Sequence, residues 1–520
     1  MKNIYKYLFV LFIGIVSFNI NVSAGTIINI ETNEISTDKE NYNHITKYDS
    51  LDEFLIDYNE NKLPEIYLTS FLFDGVGSVI SPDLDDFIEN DTKIKTLKID
   101  VLNINTKGDI ELTGTKIGMM IAINTNNIKG DVNIILNNVN IDTDTKKAPA
   151  IYVYNKDINY TDCKVTIKTL NGTKNYIEGG KFKKVSLMPS DELNDYKSYY
   201  SNNSLTNYEK FSSYYGIYTK EELKNILFAT VKADNEDLKD GDPYYFYKGS
   251  GAISSDIDLY FEGKGYLKVT SKNKEGIETK GNLTFSGGTG DYEILAYDDC
   301  LNTTTSKDSL NSVRNNLVID VNSLLAIVND DGDEGDAIDS NGTLTINGGN
   351  IYAFAHSNSG DAGLDSEDGT FINGGTIIAT GNMADMISNE SKQKYIYVNF
   401  NSKISKDTLI VIKNQNDSII TAFRTDKDIS TLFYSSENLD YESFKIYSGG
   451  DIDGNEINGL YTNINSYKNG NELEYKIVTT FNNFKIKTTS NDFILKLLIF
   501  EIIGLSIVGI YILVSYLIKK

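Results

Sequence analysis

Along residues 252–389 a short apolar–polar phrase recurs. It runs Ala252-Ile253-Ser254-Ser255, Gly276-Ile277-Glu278-Thr279, Cys300-Leu301-Asn302-Thr303, Ala337-Ile338-Asp339-Ser340, Gly363-Leu364-Asp365-Ser366 and Met386-Ile387-Ser388-Asn389. Its apolar residue falls at 253, 277, 301, 338, 364 and 387, in steps of 24, 24, 37, 26 and 23. A small unit at near-constant spacing predicts a solenoid, and the step of 37 predicts one unit carrying a loop insertion. Within each unit there is brief β-type alternation, as in Leu344-Thr345-Ile346 and Ile351-Tyr352-Ala353-Phe354. Glycine pairs at Gly287-Gly288, Gly348-Gly349 and Gly374-Gly375 predict turns between those strands. The unit is too short and too polar for two packed helices. One turn of a right-handed parallel β-helix fits it, with coils stacked ~4.8 Å apart. An antiparallel β-sandwich with Gly/Asn turns is the competing arrangement, but it requires no fixed repeat phrase.

The same patterning divides the rest of the chain. Residues 1–24 predict a signal peptide, with Lys2 and Lys6 ahead of an apolar stretch and Val22-Ser23-Ala24 as a small-residue cleavage site. Residues 25–95 predict an N-terminal cap region with short amphipathic helices near 50–55 and 81–88, suited to covering the open first coil. The β-helix is expected over 96–389, its early coils at 99–104, 132–136 and 151–154. A tyrosine-rich excursion interrupts it at 181–240, with a short helix N-capped by Thr219. Residues 390–485 predict a small antiparallel β C-terminal domain, and 486–496 a tether. Residues 497–518 are apolar enough for a single C-terminal transmembrane helix, ~33 Å long against a hydrocarbon core of ~30 Å. With Lys519-Lys520 beyond it, the expectation is a single-pass protein of the cell membrane, its body extracytoplasmic and its tail cytoplasmic.

Composition changes this picture in one respect, which is charge. The net charge of −24 argues against nucleic acid as a partner and suits cations. Between Asn315 and Ser391 there is no lysine or arginine, yet thirteen acids. Their placement is ordered. Glu275, Asp299, Asp336, Asp361 and Asp385 stand just before the phrase, and Glu278, Asn302, Asp339 and Asp365 stand within it. Stacked coils would bring each series into a ladder of like charges, which repel unless protonated or bridged by a cation. Calcium accepts many oxygens in flexible geometry, whereas zinc lacks ligands here: His44 and His356 are far apart. The candidate metal residues are therefore Glu275, Asp299, Asp336, Asp339, Asp361, Asp365 and Asp385, holding several Ca2+ ions. A solvated acidic face without specific metal is the alternative. The two cysteines, Cys163 and Cys300, allow one disulfide or two buried thiols.

The phrase residues also carry a resemblance. The stretch from Ala337 through Asp339, Gly342, Leu344 and Ile346 to Gly348-Gly349, echoed at Gly281–Gly288 and Gly369–Gly375, resembles the bacterial carbohydrate-binding domain family with a pectate-lyase-like parallel β-helix. The similarity spans about 97–465, and the 300–337 loop and Ser388 depart from the pattern. It implies calcium held between coils, on Asp299, Asp336, Asp339, Asp361, Asp365 and Asp385, and binding of cellulose or polygalacturonate.

The function expected from all this is a membrane-anchored, calcium-dependent polysaccharide-binding protein. Two alternatives stay open: a structural surface protein or adhesin without glycan specificity, and a calcium-dependent polysaccharide lyase. A lyase needs a base beside the metal. The acidic coils offer none, and Lys272, Lys274, Lys280, Lys307 and Arg314 would have to reach in from neighbouring coils. An enzyme is therefore the less favoured reading. Tyr260, Tyr266, Tyr292, Tyr297 and Tyr352 are the candidate sugar platforms in a chain without tryptophan.

Overall fold

The structure is a computed structural model. It describes residues 25–37, 44–49, 51–70, 99–144, 148–155, 160–180, 251–304, 312–437, 444–457 and 459–480, with a few short pieces between them. The expected signal peptide, the helices at 81–88 and 219–227, the tether and the 497–518 span lie outside these residues.

Two sheets built mainly of parallel strands carry the repeat. In the ten-stranded sheet, strands Met119–Asn124, Ile151–Tyr154, Ile253–Ser255, Ile277–Thr279, Leu301–Thr303, Ile338–Ser340 and Asp365–Ser366 pair in succession. The register is set by the phrase: Ile151 faces Ile253, which faces Ile277, Leu301 and Ile338 in turn. These apolar residues and Leu364 are completely buried. Each occupies the inward slot, and a one-residue slip would expose the whole row. The row ends early. Met386 is exposed, and Ile387 bridges Thr370 instead of continuing it. The extra residues of the 37-residue step form a small hairpin of Ser306–Lys307 with Ser312–Val313.

The large sheet overturns the expected architecture. An open right-handed parallel β-helix was expected, but this sheet closes on itself. The long strand Val132–Asp142 pairs with both Val165–Thr169 and Lys174–Gly179. Two rows then run on through Leu259–Gly263 and Tyr266–Ser271, and rejoin on the twelve-residue strand Leu317–Val328. The physical reason lies in the corners. Between Asn137 and Val139 the register slips, with Asn138 at φ 54°, so one strand bends around the corner instead of stopping there. Gly348-Gly349, expected as a turn, lies inside the strand Leu344–Phe354. Gly349 has φ +112°, and a Cβ there would stand 2.7 Å from the Val321 carbonyl oxygen, so only glycine lets that strand pass. The pectate-lyase-like solenoid implied by the resemblance is corrected by the same finding.

The C-terminal strands Tyr395–Ile404, Ile429–Ser435 and Tyr475–Thr480 extend the large sheet in antiparallel sense. A separate six-stranded sheet, antiparallel throughout, is built from residues 409–472. One apolar core runs from Ile28 through the ladder to Phe433. At the N-terminal end the helix Leu51–Asn59 places Phe54 against Tyr48 and Tyr67, with ring centroids 5.5 and 5.9 Å away. Among the described residues no helix is long and apolar enough to cross a membrane. The single-pass anchoring, bilayer partnership and membrane location expected from 497–518 are corrected accordingly: the helices described give them no support. Cys163 and Cys300 are both buried and unpaired to each other, with burial pushing the Cys163 thiol up to about 11.

Candidate functional site

Strand pairing builds the acidic row. Glu278 faces Asn302, Asn302 faces Asp339, and Asp339 faces Asp365 across neighbouring strands. Directly paired residues of neighbouring strands project to the same side of a sheet, so these four stand in a line beside the buried apolar row. Asp336, three residues before Asp339, joins it. Asp336, Asp339 and Asp365 each present a carboxylate oxygen, and the three oxygens lie within 4.8 Å of one another.

The other predicted ligands surround this triad, most of them accepting hydrogen bonds from adjacent turns. Asp299 Oδ1 accepts from the Asp336 N–H at 2.8 Å, and its Oδ2 accepts from Asn302 Nδ2 at 2.5 Å. Asp336 Oδ1 accepts from the Ala362 N–H at 2.6 Å. Asp361 Oδ2 accepts from the Gly335 N–H at 2.7 Å and from the Ser359 hydroxyl. Asp385 Oδ2 accepts from the Ser366 N–H at 3.0 Å. Glu275 acts on Asp299 through its charge. Of the seven predicted residues, then, three converge, and four stand around them without joining the cluster.

Crowding and burial leave the row short of compensation. Burial, reinforced by Asp365, Asp339 and Asp361, pushes Asp336 up to about 8. Asp339 rises to about 7, by burial and then the charges of Asp365 and Glu367. Asp365 rises to about 6, by burial and then Asp385. Asp299 is held well above the usual carboxylate range by burial, with Asp298, Asp339 and Asp336 adding to it. No lysine or arginine forms an ion pair with Asp336, Asp339 or Asp365 among the described residues. Asn302 is 8 % exposed, and its Oδ1 is buried with no donor to accept from. The three converging carboxylates form an all-oxygen set of the kind a hard divalent cation takes, and Asn302 stands on the neighbouring strand opposite Asp339. His356 takes no part: its Nδ1 faces the Asn358 and Ser359 N–H groups within its own loop.

Four of the five candidate bases are held in ion pairs of their own. Lys280 is bound to the buried Asp256, which also accepts from the Tyr152 hydroxyl at 2.7 Å. Lys274 lies 2.5 Å from Asp298, Lys272 lies 2.5 Å from Asp142, and Arg314 lies 2.6 Å from Asp368. A lysine in an ion pair keeps its proton, and both Lys280 and Lys272 are raised above their ordinary value.

Of the predicted tyrosine platforms, Tyr292 proves to be a packing residue, whereas Tyr260, Tyr266, Tyr297 and Tyr352 are half-buried. Tyr292 is buried, edge-on to Phe285 at 4.9 Å, and Tyr266 donates to Glu293 at 2.6 Å. Tyr260 lies beneath the Lys164 ammonium, 4.3 Å from its ring centroid. Tyr352 alone of the five lines a large cavity, of ≈ 760 Å³, between the large sheet and the six-stranded sheet. The other tyrosines of that cavity, Tyr434, Tyr461 and Tyr467, lie beyond the repeat and were not singled out in the sequence. No local signal marks them, because the cavity exists only where the two sheets meet.

A family model described as carbohydrate-binding domain-containing protein matches residues 212–422, which is less than half of the chain. The match includes the whole acidic row. Neither curated proteins nor solved structures give a significant match. The chain is thus similar to carbohydrate-binding domain proteins over the segment that contains the carboxylate triad.

Proposed function

We propose that this chain is a non-catalytic carbohydrate-binding scaffold, stiffened by a divalent cation, calcium in preference to magnesium or zinc. The family match over 212–422 carries the carbohydrate part of the reading. The carboxylate triad supports the cation part. Its oxygens come from neighbouring turns, and Glu275, Asp299, Asp361 and Asp385, which stand around it, are further candidate ligands in this reading. A cation there would link successive strands, and this chain's own contribution is to hold the acids in place through backbone N–H donors. Calcium is favoured because the donor set is all oxygen and spread over separate strands, which suits flexible coordination.

A structural role without glycan specificity is the second reading. It is favoured by the position of the triad, half-buried between strands, where a cation would serve the fold more directly than a ligand. One experiment separates the two. The full chain is passed over immobilised neutral and acidic polysaccharides, with and without chelator, and the eluate is assayed for new unsaturated sugar ends. Retention without cleavage supports the binding scaffold. No retention on any polymer leaves the structural role, and unsaturated ends would overturn both.

A further inference from the structure

The ≈ 760 Å³ cavity lies away from the acidic row and is differently built. One wall is the strand Leu344–Phe354, which contributes Asn350 and Tyr352, and the other is the six-stranded sheet, which contributes Lys413, Asn463 and Tyr467. Tyr352 and Tyr467 are both half-buried, one on each wall, so part of each ring meets solvent inside the groove. The Tyr467 hydroxyl donates to the Gly449 carbonyl at 2.9 Å, which fixes the ring. Lys413 Nζ stands 5.2 Å from the Tyr467 ring centroid and 3.2 Å from Asp417 Oδ1. Lys413 and Asp417 are the charged residues of the lining, and they compensate each other. On a chain of net charge −24 this groove is therefore locally neutral. Exposed amides and hydroxyls complete it, Asn463, Asn465 and Ser418 among them.

We propose that this groove is a binding site for a neutral oligosaccharide, independent of the cation. The assignment rests on the carbohydrate-binding reading and gives it a place and a ligand class. A pyranose presents an apolar face and a rim of hydroxyls. Tyrosine faces accept the former, while Asn, Ser and Thr groups exchange hydrogen bonds with the latter. A uronate polymer would find no surplus positive charge here, since Lys413 is already paired. The acidic row, by contrast, is built of carboxylates and an amide.

The test uses the full chain and two probes, a neutral β-glucan hexasaccharide and an oligogalacturonate, titrated calorimetrically. Chelator is added at a temperature where circular dichroism shows the fold intact. The hexasaccharide should bind equally with and without chelator. Tyr467→Ala should weaken it about tenfold, the effect of losing one well-packed aromatic contact. Tyr467→Phe should restore it, because the ring remains. Asn463 has φ 50°, which glycine adopts freely, so Asn463→Gly removes the amide without straining the strand and should also weaken binding. Unchanged affinity in both Tyr467→Ala and Asn463→Gly would overturn the assignment. Binding of the galacturonate alone would overturn the groove and leave the carbohydrate reading standing. Binding of neither probe would end both.

Discussion

Asp339 concentrates the chemistry of the acidic row, because it faces Asn302 on one side and Asp365 on the other. Its raised pKa has a definite consequence for stability. An unfolded aspartate titrates near ~3.9. In the folded, metal-free chain Asp336, Asp339 and Asp365 hold protons up to about 8, 7 and 6. The folded state thus binds more protons than the unfolded state across that interval. Their contribution is constant below about pH 4, and stability is lost as pH rises from there towards 8. Melting temperatures of the chelated chain should fall over that range, and added calcium should raise them more at pH 8 than at pH 5. Asp339→Asn removes one crowded charge. It should stabilise the chelated chain at pH 8 by on the order of 1–3 kcal/mol and shrink the calcium-induced rise in melting temperature. If calcium raised the melting temperature of Asp339→Asn as much as that of the unaltered chain, the triad would not be the cation site.

At the scale of the element, each short strand of the ladder depends on one inward apolar residue and on the corner that delivers it. Leu301 is fully buried between Ile277 and Ile338. Leu301→Ala should cost ~2–5 kcal/mol, readable as a shift of the denaturant midpoint, since the rigid strands either side cannot close the cavity. The corner residues are as specific. Gly349→Ala would meet the Val321 carbonyl at a φ of +112°, and a cost of about 1–3 kcal/mol is expected from that position alone. The same substitution at Gly25, whose surroundings are open, should be nearly neutral in the same assay. The contrast shows why glycine pairs that look alike in sequence behave differently: Gly287-Gly288 lies between strands, while Gly348-Gly349 lies within one.

At the scale of the whole molecule, the apolar core is continuous from Ile28 to Phe433, and the C-terminal strands complete the large sheet. The strands that share this core should therefore unfold together. Calorimetric and van't Hoff enthalpies of the body should agree, and chelator should move a single transition instead of splitting it. Two resolved transitions, with only one sensitive to chelator, would show that the acidic turns fold apart from the rest. The charge of the chain bears on partners at this scale, and the compensated Lys413–Asp417 groove is an exception to its acidity.

By itself the sequence determined the β character of the chain, the register of the inward row and the presence of an acidic series, because all three follow from a local phrase repeated at fixed spacing. Ile253, Ile277, Leu301 and Ile338 meet because each holds the second place of the same four-residue pattern. The same phrase set Asp339 beside Asp365, although it did not tell which of the seven acids would converge. Only the tertiary structure decided that the large sheet closes on itself, since closure depends on whether a strand bends or breaks at Asn138 and Gly349. It alone created the tyrosine groove, whose walls bring together residues as far apart as Asn350 and Tyr467. It also paired Lys274 with Asp298 and Lys280 with Asp256, contacts that no local pattern announces. Periodicity is a property of neighbours along the chain, whereas closure, cavities and ion pairs between turns depend on which distant segments come into contact.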